Sequence, residues 1–176
     1  MKRAKVTITG TSPLLMHAFP MTPPPKPIEK MEPREQAEYA AYRDTEGYLY
    51  LPGVAVQRAI VQGASYVKGK GRGSLQKPIA ACVIINEMQI PLGLKDYVID
   101  SRPVVVPATK GRIIRHRPRL DKWAASFSLT FDDSLVTANQ LREAVDNTGS
   151  RVGLLDFRPE KKGPFGRFIV TEWGVE

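Results

Sequence analysis

Three arginines have the spacing in this sequence that is most specific for a chemical role. Arg115, Arg117 and Arg119 occupy alternate positions of the segment 112–119, whose residue pattern predicts a β-strand. Alternate side chains of a strand share one face about 6.6 Å apart, so the guanidinium groups can each grip a phosphate of an extended polyanion. The alternative is a solvated outer face that blocks pairing between strand edges. Both interpretations predict side chains that face solvent.

The surrounding segment, 102–122, contains most of the excess positive charge of the chain. Seven Lys and Arg residues stand there against a single acidic residue, Asp121, which gives a net charge of +6. We predict that this segment is a basic hairpin inserted into the fold. Its predicted phosphate-binding residues are Lys110, Arg112, Arg115, Arg117 and Arg119.

A second basic segment, 68–77, is rich in glycine. The glycines of KGKGRG (68–73) allow the backbone to approach a phosphodiester closely, and the neighbouring cations neutralise its charge. The order Gly-x-x-x-x-Gly-Lys-Ser/Thr does not occur, which argues against nucleotide hydrolysis. We predict a mobile phosphate-binding loop, with a surface loop that has no partner as the alternative. The predicted binding residues are Lys68, Lys70, Arg72 and Lys77.

A third segment, 153–168, mixes cations with aromatic side chains. Bases of a single strand can stack on aromatic rings while the backbone meets positive charge. Phe157 and Phe165 are the predicted stacking residues, whereas Phe168 alternates with Val170 and is predicted to lie in the core. The predicted phosphate-binding residues are Arg158, Lys161, Lys162 and Arg167.

Residues for catalysis are sparse. His17 and His116 are the only histidines, and neither has the spacing of a zinc ligand pair. Asp44, Glu46 and Asp156 are the carboxylates that we consider for Mg²⁺-dependent phosphodiester cleavage, which makes a metal-dependent nuclease one alternative. We expect no catalytic residues, no metal and no cofactor, and hence a protein that is not an enzyme.

The bulk composition limits the class of protein. With 176 residues, 42% of them hydrophobic, we expect one domain covering 1–176. A net charge of +8 favours a polyanionic partner. No apolar run is long enough to cross a bilayer, so we expect a cytoplasmic protein of a prokaryotic or phage-infected cell and no membrane partner. The single cysteine, Cys82, cannot form an intrachain disulfide and is predicted to lie in the core.

Hydrophobic periodicity predicts the order of the elements. Thr137 is the predicted N-cap of the last helix. The three strands from 104 to 131 predict a meander or a long hairpin. The whole order predicts an α+β, ferredoxin-like (RRM-like) antiparallel sheet with two packed helices and long insertions at 11–46, 68–77 and 102–122. The predicted strands are 3–10, 47–52, 104–107, 112–119, 124–131 and 167–173, the predicted helices are 32–43, 53–67 and 137–148, and 11–27 is predicted to be an irregular proline-rich loop.

Three segments resemble the RAMP superfamily, particularly the Cas7-like backbone proteins of CRISPR effector complexes. They are VTITGTSPLLMH near the N-terminus, YLPGVAVQRAIV and GPFGRF. The LPG at 51–53 and LDFRP at 155–159 are also similar to segments of uncharacterised phage and mobile-element proteins. The resemblance implies an RRM-like core, repeated assembly along a single strand, and a thumb-like hairpin, here 103–122, that separates groups of nucleotides. The chain is shorter than a typical Cas7 protein, and no specific position matches the target-cleaving aspartate of the family, for which Asp44 is only a guess.

These features favour a protein that binds single-stranded RNA or DNA with little dependence on sequence. We expect it to act as a homo-oligomer along the strand or as a subunit of a ribonucleoprotein complex. A structural or assembly protein of a phage or mobile element, whose basic loops contact other subunits, is the alternative from another class.

Overall fold

The computed structural model describes residues Met1–Glu176. None of its helices combines the length and apolar character that a bilayer-spanning segment requires. In chain order the elements are β1 (Lys2–Gly10), β2 (Leu14–Leu15), α1 (Pro33–Tyr39), β3 (Tyr50–Pro52), α2 (Gly53–Gly63), α3 (Gln76–Cys82), β4 (Val83–Ile85), β5 (Gln89–Pro91), β6 (Val98–Val105), β7 (Arg112–Leu120), β8 (Ala124–Phe131), α4 (Ala138–Asn147) and β9 (Phe168–Val175).

The main sheet has four antiparallel strands in the order β4-β8-β1-β9. α2 lies in the chain between β1 and β4, and α4 lies between β8 and β9, which gives the β-α-β-β-α-β order of a ferredoxin-like fold. β1 and β8 bury alternate residues, so Val6 packs beside its register partner Phe127 on the helix-covered face. The predicted fold class is confirmed.

α2 and α4 cover the inner face of this sheet. Thr137 caps α4 as predicted, because its hydroxyl accepts a hydrogen bond from the Gln140 backbone N–H while the Gln140 side chain accepts one from the cap backbone N–H. Gly63 allows the helices to approach closely, since a Cβ there would overlap the Thr148 hydroxyl oxygen. Cys82 is buried in the core, as predicted.

β6 and β7 form the predicted long hairpin within a second sheet, whose order is β2-β7-β6. The alternative of a three-stranded meander is wrong, because β8 leaves the hairpin and pairs with β1. Trp123 stabilises the point where the chain passes from β7 of the second sheet to β8 of the main sheet. Its indole N–H donates to the Ser12 carbonyl at 2.9 Å, and Gly10 leaves room for the ring. The apolar face of β8 therefore belongs to the main core.

The proline-rich segment and α1 close the remaining edge of β7. Leu14–Leu15 pairs with β7 over two residues, where the sequence predicted only loop. Beyond it, the buried Gln36 side chain accepts a hydrogen bond from the His116 backbone N–H at 2.7 Å and donates one to the Ile28 carbonyl. α1 is shorter than the predicted helix at 32–43, since the chain leaves helical geometry after Tyr39.

Candidate functional site

The three arginines of β7 lie on one side of the strand, but they are not free in solvent. Arg117 is buried, with 7% of its side chain exposed, so the prediction that all three are solvated is wrong for this residue. β2 pairs with β7 at Leu120 and Arg119, and Gln36 of α1 accepts a hydrogen bond from the His116 backbone N–H, so this edge of β7 is already covered and the row is not needed as edge protection. Each arginine instead has a carboxylate partner: Arg115 pairs with Glu29 at 3.4 Å, Arg117 with Asp156, and Arg119 with Asp121 at 2.7 Å and Asp100 at 3.4 Å.

Arg102 fastens the middle of the hairpin to the segment 153–168. Its guanidinium donates to the buried Asp100 carboxylate at 2.7 Å and lies 4.8 Å from the Phe165 ring centroid and 6.0 Å from that of Phe157. Phe165 is only 4% exposed. The prediction that Phe165 offers its face to a base is therefore wrong, because its ring is packed inside, and half-buried Phe157 packs against it.

Asp156 is held in place by an unusual backbone. Leu155 and Phe157, on either side, have φ angles of +60° and +46°, a left-handed region that non-glycine residues rarely adopt. The carboxylate faces Arg117 and the His17 ring, whose Nδ1 lies at 3.4 Å. Burial alone would raise the pKa of Asp156, but the hydrogen bond from His17 and the charge of Arg117 outweigh it and lower that pKa. The group is therefore held as a carboxylate.

A polar cleft of about 540 Å³ opens between α2 and the segment 153–160. Arg58, on α2, is exposed and makes no ion pair, whereas Arg158 pairs with Glu160 at 2.8 Å. Arg58 is therefore an unpaired cation in the cleft, whereas the charge of Arg158 is neutralised by Glu160. Its polar lining consists of His17, Tyr42, Arg58, Gln62, Asp156, Arg158 and Glu160.

An apolar groove of about 620 Å³ lies on the other side of His17, which lines both cavities. Its walls are the proline-rich residues 18–24, Tyr39 of α1 and the middle of β7. Phe19 is 86% exposed at its rim. Arg117 also lines the groove, and its Nε–H is buried without a hydrogen-bond partner.

The basic loop at 68–77 adjoins the polar cleft. Gln76, at its end, donates a hydrogen bond to Gln62 of the cleft wall at 3.1 Å. The loop is shorter than predicted, because α3 begins at Gln76 and includes Lys77. Tyr66, just before the loop, is 49% exposed with the Arg151 guanidinium 4.9 Å from its ring centroid. The predicted binding residues Lys68, Lys70, Arg72 and Lys77 are all exposed.

The remaining predicted cations lie in two places. Lys110 and Arg112 are exposed around the turn of the hairpin, away from its base. Lys161, Lys162 and Arg167 are exposed in or just after the segment that carries Asp156. None of these five pairs with a carboxylate, so all remain available to a polyanion.

The open face of the main sheet offers hydroxyls and no aromatic rings. Thr7, Thr9, Ser126 and Thr171 form exposed hydrogen bonds there. RRM domains stack bases on aromatic residues of this face. A stacking ligand would therefore use rings elsewhere, such as Phe19.

The carboxylates considered for a metal site do not come together. No group of three or more His, Cys, Asp or Glu side chains has the arrangement to hold a metal ion. Asp44 instead accepts hydrogen bonds from the backbone N–H groups of Glu46 and Tyr48 and so stabilises a turn. Asp156 is engaged by Arg117.

Sequence reasoning missed five of the seven polar residues that line the cleft, namely His17, Tyr42, Arg58, Gln62 and Glu160. The sequence does offer a clue to Arg58, because it is the only charged residue of α2. No sequence pattern places His17 and Tyr42 in the cleft. They reach it through the proline-rich segment and the chain after α1, and periodicity does not predict the paths of these segments.

Comparisons with known proteins support the fold. No protein-family model matches the chain, and no curated protein matches it. A chain in the cryo-EM structure of the Type III-B Cmr-beta bound to cognate target RNA is similar, with a TM-score of 0.65 and 11% sequence identity. The match covers 99% of this chain and 60% of that one, so the present chain spans about three fifths of its length. At this identity the likeness shows a shared fold.

Proposed function

We propose that the chain binds single-stranded nucleic acid, RNA in particular, with little dependence on sequence, as a subunit of a repeated or ribonucleoprotein assembly. The observation that carries the proposal is a set of exposed cations without carboxylate partners in three segments, two of them next to the polar cleft. The structural neighbour belongs to an RNA-bound Type III-B complex, which favours RNA as the ligand.

The free cations are the groups expected to meet the phosphates. When these cations neutralise phosphates, the counterions condensed on the strand are released into solution, and this release dominates non-specific affinity. Arg115, Arg117 and Arg119 already have carboxylate partners, so we assign them to positioning the hairpin. The proposed phosphate contacts are Lys68, Lys70, Arg72, Lys77, Lys110, Arg112, Lys161, Lys162 and Arg167.

A filter-binding titration at several salt concentrations tests this function. Single-stranded RNA, single-stranded DNA and duplex of equal length serve as ligands. We expect the logarithm of the affinity for single strands to fall linearly with the logarithm of salt, with a slope of about −0.7 per phosphate bound. Tighter binding of RNA than DNA would support contacts to the 2′-hydroxyl. Affinity that does not depend on salt would contradict the proposal.

A further inference from the structure

We propose that the polar cleft and the apolar groove together bind one nucleoside monophosphate unit, with its phosphate in the cleft and its base in the groove. This inference rests on the proposed function, which requires phosphate contacts but no base pocket. Both cavities fall within the roughly 300–1,000 Å³ range of ligand sites. Because His17 lines both, a ligand with one charged and one flat apolar part can occupy them at the same time.

The cleft suits a phosphate because its carboxylates are already engaged. Asp156 faces Arg117 and His17, and Glu160 pairs with Arg158. The exposed guanidinium of Arg58 has no such partner. A phosphate in the cleft therefore gains a charge-assisted hydrogen bond from Arg58 without separating an existing ion pair.

The groove suits a base because an exposed aromatic ring stands at its rim and its walls are mainly apolar. Phe19 is 86% exposed and offers a stacking surface there. Proline side chains and Tyr39 of α1 line the groove behind it. A flat base can therefore stack on Phe19 and lie against these walls while its phosphate reaches the cleft beside His17.

The first experiment titrates the full chain by calorimetry with AMP, GMP, UMP and inorganic phosphate. We expect saturable binding of at least one nucleotide and weaker binding of phosphate alone. Arg58→Ala should weaken nucleotide binding about tenfold or more, the effect of removing one charge-assisted hydrogen bond. Arg34→Ala removes an exposed cation that lines neither cavity, and it should leave the affinity unchanged.

Two further variants test the groove. Phe19→Ala should weaken binding of nucleotides but not of phosphate, and Leu135→Ala, an exposed apolar residue elsewhere, should have no effect.

Oligonucleotides distinguish the source of the nucleotide. If the unit comes from a bound strand, Arg58→Ala and Phe19→Ala will weaken RNA binding more than their controls, and added AMP will compete. If free mononucleotides are the ligand, these variants will lose AMP binding and retain RNA binding. The proposal is overturned if no nucleotide binds and the variants bind RNA as their controls do. Salt-dependent RNA binding would persist in that case, so failure of the nucleotide site can be distinguished from failure of the proposed function.

Discussion

Arg117 is the one buried cation of the molecule, and it joins the hairpin to the segment that contains Asp156. A cation in this position must be paired, because transfer of an isolated charge from water into the interior costs several kcal/mol. Its partner stands between two residues with left-handed backbone, so the segment around Asp156 is strained to present the carboxylate. The Arg117–Asp156 pair therefore fixes the position of the hairpin relative to the cleft.

Removal of Arg117 should cost stability more than binding. Arg117→Ala leaves Asp156 without its closest cation, and breaking a buried pair in this way costs about 3–5 kcal/mol. We expect a decrease of about 3 kcal/mol in the free energy of unfolding, measured by urea denaturation. Arg112→Ala, at an exposed position on the same strand, should change it by less than about 0.5 kcal/mol. Equal stability of the two variants would contradict a structural role for the pair.

Asp156 should make part of this stability depend on pH. The hydrogen bond from His17 and the charge of Arg117 outweigh burial and hold the pKa of Asp156 below 3.8 in the folded chain. Because the unfolded chain binds the proton more tightly, the stabilisation is complete above the ordinary pKa and disappears as pH falls through the lowered one. We expect the stability difference between wild type and Asp156→Asn to be full at about pH 5 and to shrink below about pH 4. A constant difference across this range would contradict the assignment.

The sequence could predict that the three arginines lie on the same side of their strand, but it could not predict which carboxylates pair with them. Strand alternation depends only on neighbouring residues, so it places Arg115, Arg117 and Arg119 together. Asp156, however, is 39 positions from Arg117, and Glu29 is 86 positions from Arg115. Spacing contains no information about such pairs, which is why the sequence predicted solvated side chains.

At the scale of elements, prediction succeeded where periodicity was long and uniform. The pattern at 124–131 matched β8, and 112–119 matched β7 to within one residue. It assigned no element to IAACVII, 79–85, because an uninterrupted apolar run has no period, and this run contains the end of α3 and all of β4. The two-residue strand Leu14–Leu15 exists only through its register with β7, so no local pattern predicts it.

The basic loop at 68–77 should act in binding and not in folding. Its cations are exposed and have no carboxylate partners, so they contribute little to stability. We expect Lys70→Ala with Arg72→Ala to reduce the salt slope of RNA binding by about 0.7 for each phosphate that is no longer neutralised, without change in urea denaturation. Lys5→Ala, which removes a cation of the open sheet face, is the matched control. An unchanged slope in the loop variant would indicate that the phosphate-binding residues lie instead at the hairpin turn and at 158–167.

At the scale of the whole molecule, a net charge of +8 opposes self-association. Neighbouring subunits on a single strand would share its negative charge, so the strand itself should permit assembly. Both the hairpin and the basic loop project cations from outside the main sheet, and one strand could therefore bind several copies in succession.

Light scattering after size-exclusion chromatography tests this assembly. We expect a monomer when the chain is free, because like charges keep the copies apart, and complexes whose mass increases with the length of added single-stranded RNA. The Lys70→Ala, Arg72→Ala variant should require lower salt to form the same complexes, whereas the Lys5→Ala control should behave as wild type. Stable multimers that form without nucleic acid would favour the alternative, a structural protein whose basic segments contact other subunits. A mass that stays at one copy for every strand length would limit the function to binding by single subunits.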